Sequence, residues 1–235
     1  MIQLRQRSSA DILHSRVFLR SFPLHLPYDI MSYLLKVCKL HLDERLVNDF
    51  WNHLTLVSDP WEADARSWRE ALQKPVWPLG LYGDEAVIGL VNSPFSKILG
   101  IYLNAVLYRP KSTRKSRFLM FSIEVDRIIS IEETVYPVLA MITESCNRLT
   151  KEGIDGTHFL VSEIRGDQLF YKSIFRHQSW WKSNHVCFRC GASCAEGSLN
   201  YTNYDGWQGA RRSTQQFIAE ELPAVACSLV PTLGV

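Results

Sequence analysis

Two aspartates in this sequence each follow an apolar stretch and a glycine. Asp84 follows residues 81–83, and Asp167 follows residues 164–166. Carboxylates at the ends of neighbouring strands can share a Mg²⁺ ion, because Mg²⁺ prefers hard oxygen ligands and neutralises charge during phosphoryl transfer. The sequence therefore indicates a candidate catalytic pair. Gly-Asp is also a common turn dipeptide, so the alternative is that both aspartates only shape turns.

A second candidate site lies among the cysteines, of which the chain has six. Cys187 and Cys190 have the Cys-x-x-Cys spacing that supplies two thiolates to a tetrahedral Zn²⁺ site. The remaining ligands would come from Cys194, His185 or His177, and the sequence leaves that choice open. The alternative is a pair of buried free thiols. The polar, core-poor character of the surrounding segment favours structural zinc.

A cluster of basic residues lies between two predicted strands. It consists of Arg109, Lys111, Arg114, Lys115 and Arg117. Such a cluster can contact the phosphates of DNA. The alternative is a solvated hairpin tip without a ligand. The chain has no glycine-rich phosphate loop, no Gly-x-Ser-x-Gly elbow and no His-Glu-x-x-His motif, so the usual marks of kinases and hydrolases are missing.

The composition is that of a globular protein. Of the 235 residues, 46% are hydrophobic and 21% are charged, which is enough to bury a core. The net charge of +2 is too small to indicate a nucleic-acid partner by itself. Four arginines interrupt the first 20 residues, so no signal peptide is expected. No apolar stretch approaches membrane-spanning length, so we expect an intracellular protein, nuclear or cytoplasmic, without a membrane partner.

The periodicity of apolar residues predicts the elements that must position these sites. Residues 1–74 are predicted to be helical, and residues 77–82, 86–91, 98–108 and 117–125 to be strands, the last of them central and covered on both faces. Ser130 and Glu133 form a capping box before a long helix, and residues 157–164 form another strand. This order predicts an α/β (α+β) fold with helices packed on a mixed sheet.

The segment from 77 to 193 resembles a known group of proteins. The sequences at 81–85, 109–114 and 187–193 carry the likeness. They resemble the core of cut-and-paste transposases of the CACTA and Plavaka-like elements, and an uncharacterised transposon-like family abundant in dinoflagellate algae. The resemblance covers about half the chain. It implies a ribonuclease H-like catalytic domain that acts on DNA, with three acidic residues binding two Mg²⁺ ions.

By this resemblance Asp84 matches the first acid and Asp167 the second, and the Cys-x-x-Cys loop follows the second. The predicted domains are a helical N-terminal region (1–74), a partial ribonuclease H-like core (75–176), and a Cys-rich loop region with a C-terminal helix (177–235). The family's third acid lies beyond the cysteine loop, and this chain reaches Val235 without one. The expectation is a truncated, inactive remnant whose missing portion or a protein partner completes it.

Candidate substitutes for the third acid are Glu85, Glu163, Glu220 and Glu221. Glu85 should face away from Asp84, whereas Glu163 shares the parity of Asp167. Two rival functions remain. One is a non-catalytic, zinc-stabilised module that binds nucleic acid or protein, and the other is an interaction protein whose aspartates are turn residues. The geometry of the two carboxylates separates these alternatives.

The zinc hypothesis predicts about one Zn²⁺ per purified chain, with the sulfur atoms of Cys187 and Cys190 about 3.5–4 Å apart. Cys187→Ser should lower the metal content measured by atomic emission, because it removes one of four ligands. Cys38→Ser, at a solitary cysteine, is the matched control and should leave the metal content unchanged. Metal-free protein of full yield would refute the zinc site.

Overall fold

The computed structural model describes residues 1–7, 17–56, 60–87, 97–108 and 116–175. Its elements are two N-terminal strands, three helices, three strands, a long helix, a fourth sheet strand and a short helix. None of the helices within these ranges has the length and apolar character that a membrane span requires.

The N-terminus departs from the prediction of helix over residues 1–74. Strands β1 (Ile2–Arg7) and β2 (Val17–Phe22) pair antiparallel, with Ile2 opposite Phe22. The helical prediction is wrong for these strands. Ile2 and Leu4 alternate with polar residues, which is the period of a strand, and Leu4 is buried. The helical part follows as α1 (Pro27–Lys36), α2 (Glu44–Thr55) and α3 (Pro60–Leu72).

A four-stranded mixed sheet follows the helices. Its strands are β3 (Val76–Val87), β4 (Lys97–Ala105), β5 (Arg117–Glu124) and β6 (His158–Arg165). They are arranged in the order β5-β4-β3-β6. The pairs β3–β4 and β4–β5 are antiparallel, and β6 runs parallel to β3. The predicted α/β (α+β) class with a mixed sheet is therefore confirmed.

Strand β3 is longer than the sequence suggested. Residues 77–82 and 86–91 were expected to be two strands separated by a Gly-Asp turn. Instead Gly83 pairs with Ile101 and Asp84 with Gly100 inside one continuous strand. The prediction of a turn at this point is wrong because the ladder to β4 continues through both residues.

Strand β5 lies at the end of the sheet order and not at its centre, so that prediction is also wrong. Its apolar character on both faces has another cause. The N-terminal segment covers part of it: the His25 N–H donates to the Met120 carbonyl at 2.9 Å, and the Phe22 and Phe121 rings lie 6.0 Å apart. Leu119 remains 44% exposed, as expected for an outer strand.

The long helix connects the antiparallel strands to β6. A single π-helical turn (Ile131–Val135) leads into α4 (Tyr136–Lys151). Ser130 Oγ accepts a hydrogen bond from the Glu133 N–H at 3.1 Å, which confirms the predicted cap. The apolar stripe of α4, which contains Ile142 and Cys146, is buried, and α4 packs on β6. Burial raises the pKa of the Cys146 thiol to about 12, so it is an inert core residue.

Helix α1 is fastened to α4 by two polar contacts. The Tyr28 N–H donates to Ser145 Oγ at 2.9 Å, and the Arg148 guanidinium lies 3.7 Å from the centre of the Tyr28 ring. Pro27 in the first turn of α1 has the fixed φ that a helix start needs. These contacts explain why a helix so far from α4 in sequence belongs to the same compact unit.

The chain divides into two compact units. The first contains Met1–Asn48 and Lys74–Asp167, and the second contains Asp49–Gln73 and Gln168–Val235. Residues before 49 belong to the same unit as the four-stranded sheet. In the second unit, the Arg69 guanidinium lies 4.1 Å from the centre of the Trp51 ring. The last described helix, α5 (Gln168–Phe175), also belongs to this unit.

The connection from α4 to β6 gives a test of the fold. Gly153 has φ +68, and a Cβ there would lie 2.5 Å from the Thr157 carbonyl oxygen. That same oxygen accepts the Ile154 N–H at 2.8 Å. Gly156 has φ +83, but a Cβ there would meet nothing within 4 Å. We expect Gly156→Ala to lower the free energy of unfolding by about 1 kcal/mol through backbone strain alone.

Gly153→Ala should cost at least about twice as much, because the steric clash adds to the strain. Urea denaturation of both variants measures the difference. Equal losses of stability would show that the Thr157 carbonyl can move away from the added Cβ at no cost in free energy.

Candidate functional site on one face of the sheet

One face of the sheet collects most of its polar side chains. Residues directly opposite one another on paired strands point to the same side. Gly80, Tyr82 and Asp84 of β3 are opposite Asn104, Tyr102 and Gly100 of β4. Strand β5 places Arg117 opposite Asn104, and β6 places Glu163 and Arg165 opposite Gly80 and Tyr82. We call this surface the polar face: Gly80, Tyr82, Asp84, Gly100, Tyr102, Asn104, Arg117, Glu163 and Arg165.

The other face of the sheet is the core. It is formed by buried apolar residues from three neighbouring strands, including Leu79, Leu81, Ile101, Leu103 and Phe121. The alternation along β3 is therefore complete from Leu79 to Asp84. It fixes the direction of the Asp84 side chain, because a shift of one residue would expose the core residues and bury the carboxylate.

The centre of the polar face is a hydrogen bond between Tyr82 and Asp84. The Tyr82 hydroxyl donates to Asp84 Oδ2 at 2.6 Å, and the two residues are neighbours on one side of β3. This hydrogen bond is the main reason that the pKa of Tyr82 is raised, with smaller contributions from burial and from the charge of Asp84. The Arg117 guanidinium lies 4.0 Å from the centre of the Tyr82 ring, and its positive charge acts to lower the pKa of Tyr82.

Two glycines allow neighbouring side chains to lie across the sheet. A Cβ at Gly100 would lie 2.7 Å from the Tyr102 hydroxyl, and a Cβ at Gly80 would lie 2.6 Å from Glu163 Oε1. Tyr102 and Glu163 therefore occupy the space that larger residues would fill. The polar face is flattened at these two positions.

Both oxygens of the Glu163 carboxylate have protein partners. Oε1 accepts from Asn104 Nδ2 at 3.1 Å, and Oε2 is 2.6 Å from Arg165 Nη2. A β-bulge brings Glu163 to this face, since Leu79 pairs with Val161 but Gly80 pairs with Glu163. The extra residue, Ser162, donates its hydroxyl to the Leu79 carbonyl at 3.2 Å. The Glu163 carboxylate thus already has two partners within the sheet.

The two predicted acids lie at the same end of adjacent parallel strands. Tyr82 and Arg165 are the last paired residues of β3 and β6, and Asp84 and Asp167 each come two residues later. Adjacent strands are about 4.8 Å apart. Asp84 lies within a strand, so the turn alternative fails for it. Asp167 lies after the end of β6, immediately before α5, so the turn alternative remains open there.

The other predicted site residues divide into two groups. Glu85 faces away from Asp84, as predicted, and its carboxylate is 3.6 Å from Lys97 Nζ. Arg117 begins β5 and is exposed. The remaining basic residues and the zinc-ligand candidates lie outside the described residues: Arg109, Lys111, Arg114, Lys115, His177, His185, Cys187, Cys190 and Cys194. Glu220 and Glu221 also lie outside them.

Metal binding by the described residues is limited. Within the described ranges, no three His, Cys, Asp or Glu side chains come together in a way that could hold a metal ion. Asp84 and Asp167 could therefore contribute at most two carboxylates to a Mg²⁺ ion. A mechanism in which two ions flank a phosphate needs more carboxylates than these two.

Sequence reasoning missed Tyr82, Tyr102 and Asn104 as members of the site. The signal was present but depended on treating residues 76–87 as one strand. On that assumption Tyr82 shares the parity of Asp84, and the antiparallel partner strand then adds Tyr102 and Asn104. The predicted turn at Gly83 removed this signal.

The Tyr82–Asp84 hydrogen bond predicts a pH-dependent contribution to stability. Because the pKa of Tyr82 is raised in the folded protein, the stabilisation is fully present below the ordinary tyrosine pKa of 10.0 and is lost as the pH rises through the folded value. Asp84→Ala should shift the pKa of Tyr82 down towards its ordinary value. Glu85→Ala, whose side chain faces the other side, is the control. Titration of ¹³Cζ-labelled tyrosine by NMR reports both, and an unchanged Tyr82 pKa in Asp84→Ala would contradict the assignment.

Comparison with protein-family models, curated proteins and solved structures gives no match for this chain.

Proposed function

We propose that this chain is a DDE-transposase-like domain, transposon-derived and related to ribonuclease H, that contacts DNA without cutting it. Asp84 and Asp167 bind a single Mg²⁺ ion weakly in this proposal. The observation that supports it is the parallel pairing of β3 with β6 up to Tyr82 and Arg165, beyond which the two aspartates follow at equal spacing.

The order of the elements also supports the proposal. Three antiparallel strands, a long helix and a strand parallel to the first bring residues more than 80 positions apart to one end of the sheet. In the proposed domain, this arrangement brings the first and the second acidic residue to the same end of the sheet. The resemblance of the segment from 77 to 193 to transposase cores assigns the first acid to Asp84 and the second to Asp167.

The proposed lack of cleavage follows from the partners that the Asp84 and Glu163 carboxylates already have. Asp84 Oδ2 accepts from the Tyr82 hydroxyl, and both oxygens of Glu163 have partners. Glu163 is therefore a poor substitute for a third acid, since a metal would have to displace both Asn104 and Arg165. With two carboxylates, a second ion is poorly held and the charge on a scissile phosphate is not compensated.

Contact with DNA is assigned to Arg117 and to the basic residues that precede it in sequence. Arg117 is exposed at the start of β5 and follows the other four basic residues of the cluster in sequence. Binding through such residues releases counterions and should weaken steeply with salt. The Cys187–Cys190 pair is assigned a structural Zn²⁺ ion, which would hold the C-terminal loop region.

The alternative function is a non-catalytic, zinc-stabilised module that binds nucleic acid or protein. One observation favours it. The 2.6 Å hydrogen bond from Tyr82 gives Asp84 a role within the sheet that needs no metal. The two functions differ in whether Asp84 contributes to binding a divalent ion.

The proposal predicts no nicking of supercoiled DNA by the purified protein in Mg²⁺ or Mn²⁺, because Asp84 and Asp167 alone would hold a second ion poorly. It also predicts weak Mn²⁺ binding, measured by electron paramagnetic resonance, that Asp84→Ala abolishes. Glu85→Ala is the matched control and should leave Mn²⁺ binding unchanged, because Glu85 faces the other side of the strand.

Robust nicking that Asp84→Ala abolishes would show that a third acid exists and that the chain is an active enzyme. Mn²⁺ binding that does not depend on Asp84 would remove the metal role of the aspartates and leave the non-catalytic module. In the transposase-like domain, or in a module that binds nucleic acid, duplex DNA binding at low salt should weaken in Arg117→Ala.

A further inference from the structure

We propose that the polar face binds single-stranded DNA by stacking its bases on Tyr102 and on the Tyr82–Arg117 pair. This inference deepens the proposed contact with DNA and rests on it, and it names the form of DNA and the atoms that bind it. It needs neither metal ion and no catalytic step.

The rings of Tyr82 and Tyr102 are neighbours on the polar face, tilted by 50° to each other. Tyr82 and Tyr102 are directly opposite on antiparallel strands, and their ring centres are 5.9 Å apart. Both are half-buried, so each retains an accessible part. Gly100 leaves room for the Tyr102 ring to lie across the neighbouring backbone. A ring held in this way has already lost its rotational freedom, which lowers the entropic cost of stacking a base on it.

The Arg117 guanidinium extends this surface and gives it a positive charge. It lies 4.0 Å from the centre of the Tyr82 ring, and the arginine is exposed. A planar guanidinium can stack on an aromatic base and donate hydrogen bonds to a phosphate at its edge. The Tyr82–Arg117 pair is therefore suited to a ligand with alternating flat apolar groups and negative charges.

Charge is distributed unevenly over the polar face. The acids on it are engaged, Asp84 by the Tyr82 hydroxyl and Glu163 by Asn104 and Arg165. Arg117 is the first residue of β5, and four basic residues precede it in the sequence. A strand with its phosphates towards Arg117 and its bases towards the tyrosines matches both charge and shape.

Single-stranded DNA fits this surface better than duplex DNA. In a duplex the base faces are stacked on one another and are not accessible to side chains from the grooves. Successive bases of a single strand expose their π faces, and stacking on aromatic residues is tolerant of sequence. The ligand class is therefore a single strand with little sequence preference.

The test compares two fluorescein-labelled single strands of about 12 nucleotides, a length within the usual site size. One has all its bases, and the other has the same phosphates but abasic sugars. Fluorescence anisotropy should show at least about tenfold weaker binding of the abasic strand to the unmodified protein, because only the bases stack. This comparison needs no variant and is therefore independent of any folding defect.

Variants then locate the surface. Tyr102→Leu should raise the Kd for the base-containing strand by about 5- to 100-fold, whereas Tyr102→Phe should stay within about twofold, because the ring is retained. Tyr33→Leu is the matched control, since Tyr33 lies on α1 and is 58% exposed. Arg117→Lys keeps the charge but loses the planar group, so it should also weaken binding of the base-containing strand.

Equal binding of the abasic strand would overturn the inference and leave only phosphate contacts. So would a folded Tyr102→Leu that binds as tightly as the unmodified protein. If base-dependent binding is absent while duplex binding and Asp84-dependent Mn²⁺ binding persist, this inference fails alone. If neither form of DNA binds at low salt, the proposed contact with DNA fails with it.

Discussion

The parallel pairing of β3 with β6 is the constraint on which the rest of the site depends. A parallel pair requires a crossover, and here β4, β5 and α4 all lie between the two strands in sequence. The crossover must pack back onto the sheet, which explains the buried stripe on α4 and the hydrogen bond from Thr150 Oγ1 to the Phe159 carbonyl at 2.8 Å. Without this pairing, Asp84 and Asp167 would have no reason to lie at one end of the sheet.

The Tyr82–Asp84 pair on the polar face bears on two proposed roles, the binding of a metal ion and the binding of a nucleic acid. A carboxylate has two oxygens, so Asp84 can accept the Tyr82 hydroxyl at Oδ2 and still offer Oδ1 to another ligand. In the Tyr82–Asp84 pair the hydroxyl is already in place, at 2.6 Å. The proposed stacking of bases on the tyrosine rings and on the Arg117 guanidinium would leave this hydrogen bond in place.

Much of the sheet was predictable from sequence because its strands alternate or are continuously apolar. The predicted strands at 98–108, 117–125 and 157–164, and the capped helix between them, agree with β4, β5, β6 and α4 to within a few residues. The failures have physical causes. Gly83-Asp84 has the composition of a turn, but the ladder to Ile101 and Gly100 overrides that local preference.

The position of β5 could not be read from its sequence, because apolar residues on both faces indicate cover without saying what provides it. In this chain the N-terminal segment near His25 provides part of that cover.

The pairing of β1 with β2 was also missed. Each strand is only 6 residues long, which is too short to tell the two-residue period of a strand from the period of a helix. The partners of Glu163 likewise depend on tertiary contacts that no local pattern specifies.

Because of the β-bulge in β6, the number of residues in this strand could change at one position without changing the face to which the other side chains point. Because Ser162 has no partner of its own in the ladder, β6 has one residue more than β3 needs over this stretch. A chain without Ser162 could pair Val161 and Glu163 with Leu79 and Gly80 in an unbroken ladder, and every side chain would keep its face. Removal of a residue elsewhere in β6, such as Phe159, would instead move the side chains of part of the strand to the opposite face of the sheet. Natural length variation in this strand should therefore be confined to position 162.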